Sequence, residues 1–522
     1  MSGTENCKHQ LEVLDSLTSR SNDSLSPERN AVEPNQYVPN ANAQMLRRIA
    51  KDIDRLQERV DELESLGPSE SSAVQLYQPY GPKSKQNQVP LEPRLDIRKR
   101  LIDLFLESVF ELSFSFNPTR FRASALLPYP NGHYARPDTV LMSMVYVWGI
   151  HLSQDTSLKQ LKEDHLAFAL RELASPTQSE SKSHPRQLLH TIQAEILVTR
   201  YLISTGKVTE GGVHISRAKA MSIAGGFLKI RSNQTFQSSP ALSMGSLPPP
   251  VDVIEEGDRI IIFWSGFVLD KLWTVVLDEA GTDNVCDKGL GGYLDTPWPQ
   301  EFEVYEQGGD FVPEGYSFTT TNFTDGKPTL DRGDSTQAML AKAAFCWERA
   351  ADLAKDDPGE ISLERYAKFL NTFIQRKRWI ENFMMTLPNH VPNPTPAKMA
   401  RLLQAHSVAH GAYIQLLRIM PAQGDTDAVA RGQAVISSAQ KIVKLINSPF
   451  LESIRRHINP IMGYVWTLAY TVIVETGCVT PETMNDMQHG ITVIARFSET
   501  CAFMRNHLKQ MQDVLARIDN EA

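Results

Sequence analysis

The sequence predicts an all-α protein, a large array of antiparallel helices preceded by a short coiled-coil helix and a disordered N-terminus. Three observations predict it. Apolar residues recur at three- and four-residue spacing through both halves of the chain, strand-like alternation is nearly absent, and residues 252–277 read as a capped helix apolar almost all round. At 522 residues the chain is long enough to bury a sizeable core.

Residues 1–40 are expected to be a disordered tail. They hold no apolar run long enough for a signal peptide, so the sequons at Asn22, Asn233 and Asn322 need carry no glycan. Residues 41–66 form the candidate coiled coil: Leu46, Ile53 and Val60 fall at a positions, Ile49, Leu56 and Leu63 at d. β-branched residues at two a positions with Leu at two d positions favour a parallel pair, in which Arg59 faces Glu64 of the partner. The competing reading docks this helix on its own chain, since isolated helices of this length are marginal in water. Residues 67–93, polar and proline-rich, read as a flexible linker.

A first helical half is expected over 94–317, with helices at 98–114, 138–152, 157–174, 185–204, 210–227 and 252–277, and a loop at 232–250 that ends in three prolines. Gly206 breaks one helix and Gly225-Gly226 ends another. Asp252 and Glu255 have capping-box spacing, and Ile260, Phe263, Trp264, Phe267, Val268, Leu272, Val275 and Val276 form the stripe behind them. Asp270 lies inside this apolar helix; an unpaired buried carboxylate is costly, so a structural ion pair with an unidentified basic partner is expected. After a loop at 318–334, a second half (335–522) carries helices at 337–355, 362–386, 397–420, 427–446, 452–475 and 482–518. The apolar run 461–474 is 14 residues long, short of the roughly 20 that span a bilayer, and reads as a core helix.

The order of residues also resembles a known family. "EEGDRI..FW..F.LDKLW" (255–273) followed by "DTPWP" (295–299) resembles the signature region of the fungal-specific transcription factor domain, the regulatory domain that usually follows a binuclear zinc-cluster DNA-binding module. Upstream, "LIDLFLESVFELSFSFNPTRF" (101–121), "RPDTVLMSMVYVWGIHLS" (136–153) and the segment 190–232 are similar to the family's earlier helices, in the same order. The resemblance implies a nuclear protein that regulates RNA polymerase II transcription, a homodimer contacting the transcription machinery or co-regulators, and a possible small-molecule effector.

Two parts of that pattern are missing. A binuclear cluster needs six closely spaced thiolates. The cysteines here are Cys7, Cys286, Cys346, Cys478 and Cys501, with no C-x-x-C pair, a usage that suggests a reducing compartment. Residues 1–40 carry Lys8, Arg20 and Arg29 against six acidic residues, too little to neutralise a line of phosphates. DNA contact is therefore expected only through a module absent from this chain, encoded upstream of Met1 or dispensed with, and no cofactor is expected here, zinc belonging to that module. The net charge of −8 likewise argues against coating nucleic acid or an anionic membrane.

Enzymatic alternatives rest on thin signals. Asp356-Asp357-Pro358-Gly359-Glu360 resembles the magnesium-binding carboxylates of terpene synthases, the basis of a helical isoprenoid-type enzyme as an alternative, but Pro358 and Gly359 break the helix such a motif needs. His406 and His410, at i and i+4, lack a third ligand and read as a satisfied core or interface pair. No G-x-S-x-G elbow, Walker loop or dinucleotide fingerprint occurs, so no catalytic residues are assigned. Residues 300–316 interleave acidic and aromatic residues, as an activation segment or an aromatic-pinned loop does. A helical protein-interaction scaffold is the third reading.

Overall fold

The long apolar helix expected over 252–277 is present as Val253–Val276 and is buried along most of its length. A computed structural model describes residues 89–521 apart from 175–185, 233–247, 278–293, 309–318, 328–330, 332, 356–361, 421–426 and 455–456. Among these residues the chain forms seventeen α-helices and no strand. The first half holds α1 (Leu95–Leu106), α2 (Pro118–Ala125), α3 (Thr139–Ser153), α4 (Lys159–Ala174), α5 (Gln187–Ser204), α6 (Val208–Ala224), α7 (Val253–Val276) and α8 (Phe302–Glu306). After α9 (Thr319–Thr324) come α10 (Thr336–Ala354), α11 (Leu363–Thr386), α12 (Pro396–Arg418), α13 (Ala428–Ile446), α14 (Pro449–Ser453), α15 (Ile461–Glu475), α16 (Pro481–Ser498) and α17 (Ala502–Glu521).

Local chemistry sets most starts. Asn117, Asp138, Asp252, Ser335, Ser362, Thr395 and Thr480 each accept a backbone N–H of the first turn, and Pro follows at the start of α2, α12 and α16, where its missing N–H is harmless. The capping box at α7 is only half made. Asp252 Oδ1 accepts Glu255 N at 2.9 Å, but the Glu255 carboxylate turns to Arg259 (2.8 Å) and Arg186 (2.9 Å), with only a 3.4 Å contact from Val251 N. Two nearby arginines outcompete a backbone amide for the carboxylate.

Packing then closes the array. α7 lies against α5 and α6 on one side and α10 on the other; α10 packs on α12, α12 on α11 and α13, α13 on α15, α15 on α17, and α17 returns to α5. α1 packs on α3, and Gly149 of α3 permits it, because a Cβ there would stand 2.5 Å from Leu101 O. One continuous apolar core runs through both halves and includes Trp148, Trp264, Trp273, Trp298, Trp347 and Trp466, all fully buried. The apolar run at 461–474 is α15, a core helix, and no helix among the described residues is long and apolar enough to cross a membrane.

The structure corrects several boundaries. The helix expected over 98–114 ends at Leu106, because Gln193 of α5 captures the chain beyond it: its amide donates to Ser113 O (3.1 Å) and accepts from Ser115 N (2.9 Å). The expected 452–475 divides at Pro460, which supplies no amide hydrogen, into α14 and α15. The expected 482–518 divides into α16 and α17 where Arg505 donates to Ser498 O (3.1 Å) and Glu499 O (3.2 Å). The loop expected over 318–334 contains α9. At the end of the 67–93 linker, Glu92 is tied to the body by Arg136 (2.5 Å), Arg98 (2.8 Å) and Tyr146 (2.8 Å). Leu46, Ile49, Ile53, Leu56, Val60 and Leu63, with the tail and coil they belong to, lie outside the described residues.

Candidate functional site

Residues 294–301, a segment with no regular structure, join the two halves through hydrogen bonds to several neighbouring elements. Asp295 and Thr296 donate their amides to Leu228 O, at 2.8 and 3.0 Å, and the Thr296 hydroxyl donates to Phe227 O. Trp264 of α7 donates its indole N–H to Pro297 O at 2.7 Å and stacks on Trp298 with ring centroids 4.5 Å apart. Trp298 N donates to Asp331 Oδ2 at 2.6 Å. Thr319 N closes on Leu294 O at 2.9 Å and its hydroxyl on Thr296 O at 2.8 Å.

Glu301 carries the joint into the second half. Its carboxylate accepts the amide (2.9 Å) and hydroxyl (2.6 Å) of Thr336, and Arg401 Nη2 of α12 at 2.6 Å. Arg401 Nε donates to the same Thr336 hydroxyl at 2.8 Å, and its guanidinium lies 4.6 Å from the Phe110 ring of the first half. One buried arginine thus touches both halves and the segment between them. Phe302 and Tyr305 of α8 are buried, so the described part of the acidic-aromatic stretch (300–308) is pinned by its rings; the rest lies outside the described residues.

A cleft of about 870 Å³ opens beside the joint, lined by Trp298, Phe323, Lys342, Arg378, Trp379 and Phe383 among others. Phe323 of α9 meets Trp298, Trp379 and Phe383 edge-on, at 6.0, 6.1 and 5.5 Å. Gly333, at φ +58°, turns the chain at its edge, where a Cβ would lie 2.6 Å from both Lys342 Nζ and Trp298 Cδ1. Lys342 donates to Gly333 O at 2.7 Å. Burial lowers its pKa to about 8, against the opposing pull of Asp331, Asp334 and Cys346.

The individually read residues fall as follows. Asp270 pairs with Lys219 of α6 at 3.3 Å and stands 3.9 Å from Lys271, which itself pairs with Glu348 of α10 at 3.2 Å. His406 is satisfied by Pro388 O at 3.0 Å, whereas His410 Nδ1 has no hydrogen-bond partner among the described residues, so the pair is only half satisfied there. No group of three metal-ligating side chains occurs among the described residues, and Asp356 to Glu360 lie outside them. The cleft was not foreseen, although Lys342, a lone cation in the apolar run Met339 to Trp347, was the available signal.

Burial also sets the response to acid. It holds His151, His165, His410 and His507 at about 4 and His457 at about 3. The fold keeps these rings neutral, so their stabilisation is complete above the ordinary histidine value near 6.5 and is lost as pH falls from there towards 4, on the order of 3 kcal/mol per group. Burial raises Glu111 and Asp258, which oppose this: their stabilisation is present below the ordinary carboxylate range and is lost as pH rises through their raised values. Five histidines outweigh two carboxyls. The urea midpoint is therefore expected to fall steeply between pH 6.5 and 4, and a flat midpoint across that window contradicts this reading.

Residues 105–278, from the end of α1 past the end of α7, match the family model of the fungal specific transcription factor domain. The match lies inside the 101–299 span over which the sequence resembles this family, and stops short of the 294–301 joint. No curated protein and no solved structure matches the chain.

Proposed function

We propose that this protein is a nuclear transcription regulator that acts on RNA polymerase II target genes through its helical body, with no catalytic role. The observation that carries this reading is the family match over 105–278, whose helices α3 and α5 to α7 pack on one another. A fungal transcription-factor domain is a regulatory domain. DNA contact and zinc belong, on this reading, to a zinc-cluster module distinct from these residues, and the chain works as a homodimer with co-regulators. The joint offers a route for signalling on this reading, since Glu301, Arg401 and Trp298 contact both halves.

An epitope-tagged chain is expected to accumulate in the nucleus, and its deletion to change the transcripts of a defined gene set. A protein excluded from the nucleus, whose deletion leaves the transcriptome unchanged, overturns the reading. On this reading the dimer forms through residues 41–66, by way of Leu46, Ile49, Ile53, Leu56, Val60 and Leu63. Ile53→Asp puts a charge into a desolvated seam of three heptads, and sedimentation of the full chain is expected to change from dimer to monomer. A mutant that remains dimeric places the interface elsewhere.

A further inference from the structure

Lys342 is an ammonium with more donors than its surroundings use. Its one hydrogen bond goes to Gly333 O, and it has no ion-pair partner among the described residues. It lies 4.9 Å from the Trp298 ring centroid and 5.6 Å from that of Phe323, so a largely buried cation is held by one carbonyl and two aromatic faces. Two of its three N–H groups are left for whatever occupies the cleft.

The remaining walls narrow the chemistry. Arg378 of α11 is exposed at the rim and forms no hydrogen bond or ion pair among the described residues. Trp379 and Phe383 stand one turn apart on α11 and pack edge-on against Phe323 to form an aromatic wall of the cleft. Asp325 is neutralised by Lys327 at 2.8 Å. Two uncommitted cations repel a cationic ligand, and an aromatic wall offers no ring of amides for a phosphate. A carboxylate supplies the missing acceptors through charge-assisted hydrogen bonds, and a flat apolar body lies along the aromatic wall these rings form.

We propose that this cleft binds a small aromatic carboxylic acid, with its carboxylate on Lys342, Arg378 at the rim and its ring against Phe323 and Trp379. The biological consequence rests on the regulatory reading: an occupant engages Lys342, whose ammonium lies over the Trp298 ring, and so acts on the joint between the halves.

The test uses the full chain with 2-naphthoate and its neutral isostere 2-naphthamide, titrated by calorimetry. The acid is expected to bind at least about tenfold tighter than the amide at pH 7. Lys342→Met removes this preference, and Arg378→Gln weakens acid binding roughly threefold. Asn382→Trp, at an exposed rim position, blocks both probes while leaving the fold intact by circular dichroism, and stands in for Lys342→Met should that variant fail to fold.

Acid affinity is also expected to fall about tenfold per pH unit above about 8, as Lys342 loses its proton. A lysine of ordinary pKa holds its affinity to near 10. The charged groups around Lys342 are Asp331 and Asp334 before α10, Cys346 on α10, Asp325 and Lys327 after α9, and Arg378 on α11.

Equal binding of acid and amide, or acid binding that survives both Lys342→Met and Asn382→Trp, overturns the proposal. A chain that binds neither probe yet regulates a tethered reporter overturns the ligand class and leaves the regulatory reading standing. One that binds 2-naphthoate here yet moves no reporter upholds the site and overturns the regulatory reading.

Discussion

Trp264→Ala is expected to destabilise the body by about 3–5 kcal/mol, the range for emptying a buried aromatic site. The side chain is 1 % exposed, stacks on Trp298 at 4.5 Å and donates to Pro297 O at 2.7 Å. Alanine leaves a cavity and strands that carbonyl. Trp264→Phe retains a ring and loses the donor, so its expected cost is smaller, about 1–3 kcal/mol. Urea unfolding separates the two. Equal, small losses in both variants would show that 294–301 is held from elsewhere.

The second large effect is expected at the ion pair that crosses from α7 to α10. Lys271 and Glu348 are 3.2 Å apart, with side chains 6 % and 4 % exposed. Lys271→Met leaves a buried carboxylate with Arg349 at 3.5 Å as its remaining ion-pair contact, and breaking a buried pair in this way costs about 3–5 kcal/mol. Replacing both, Lys271→Met with Glu348→Leu, is expected to recover most of that loss, because two apolar side chains of similar volume need no partner. Asp270 keeps Lys219 throughout. A double variant no more stable than the single one would show that the pair does more than neutralise itself.

What the sequence revealed and what it concealed divide along physical lines. The long helices were readable because a buried face repeats every three or four residues, and α7 is the clearest case. Helices α2, α8 and α9, of 8, 5 and 6 residues, are too short for any such period to show. Asp270 announced a partner by its burial cost, but Lys219 lies on a different helix, and no periodicity names it. The joint was concealed for the same reason: Arg401 meets Glu301 across 100 positions of sequence. The end of α1 at Leu106 was concealed because the competitor for its backbone, Gln193, sits far along the chain. The cleft draws on three helices, and only the misplaced charge of Lys342 marked it.

The proposed regulation of transcription by this helical body is tested by fusing the 522-residue chain to a heterologous DNA-binding module in a fungal reporter strain. Reporter transcript is expected to differ by at least several-fold from that of the module alone, in either direction, and Trp264→Ala is expected to abolish the difference at equal protein level. A fusion that is folded, nuclear and bound at the reporter, yet leaves its transcript unchanged, contradicts the account.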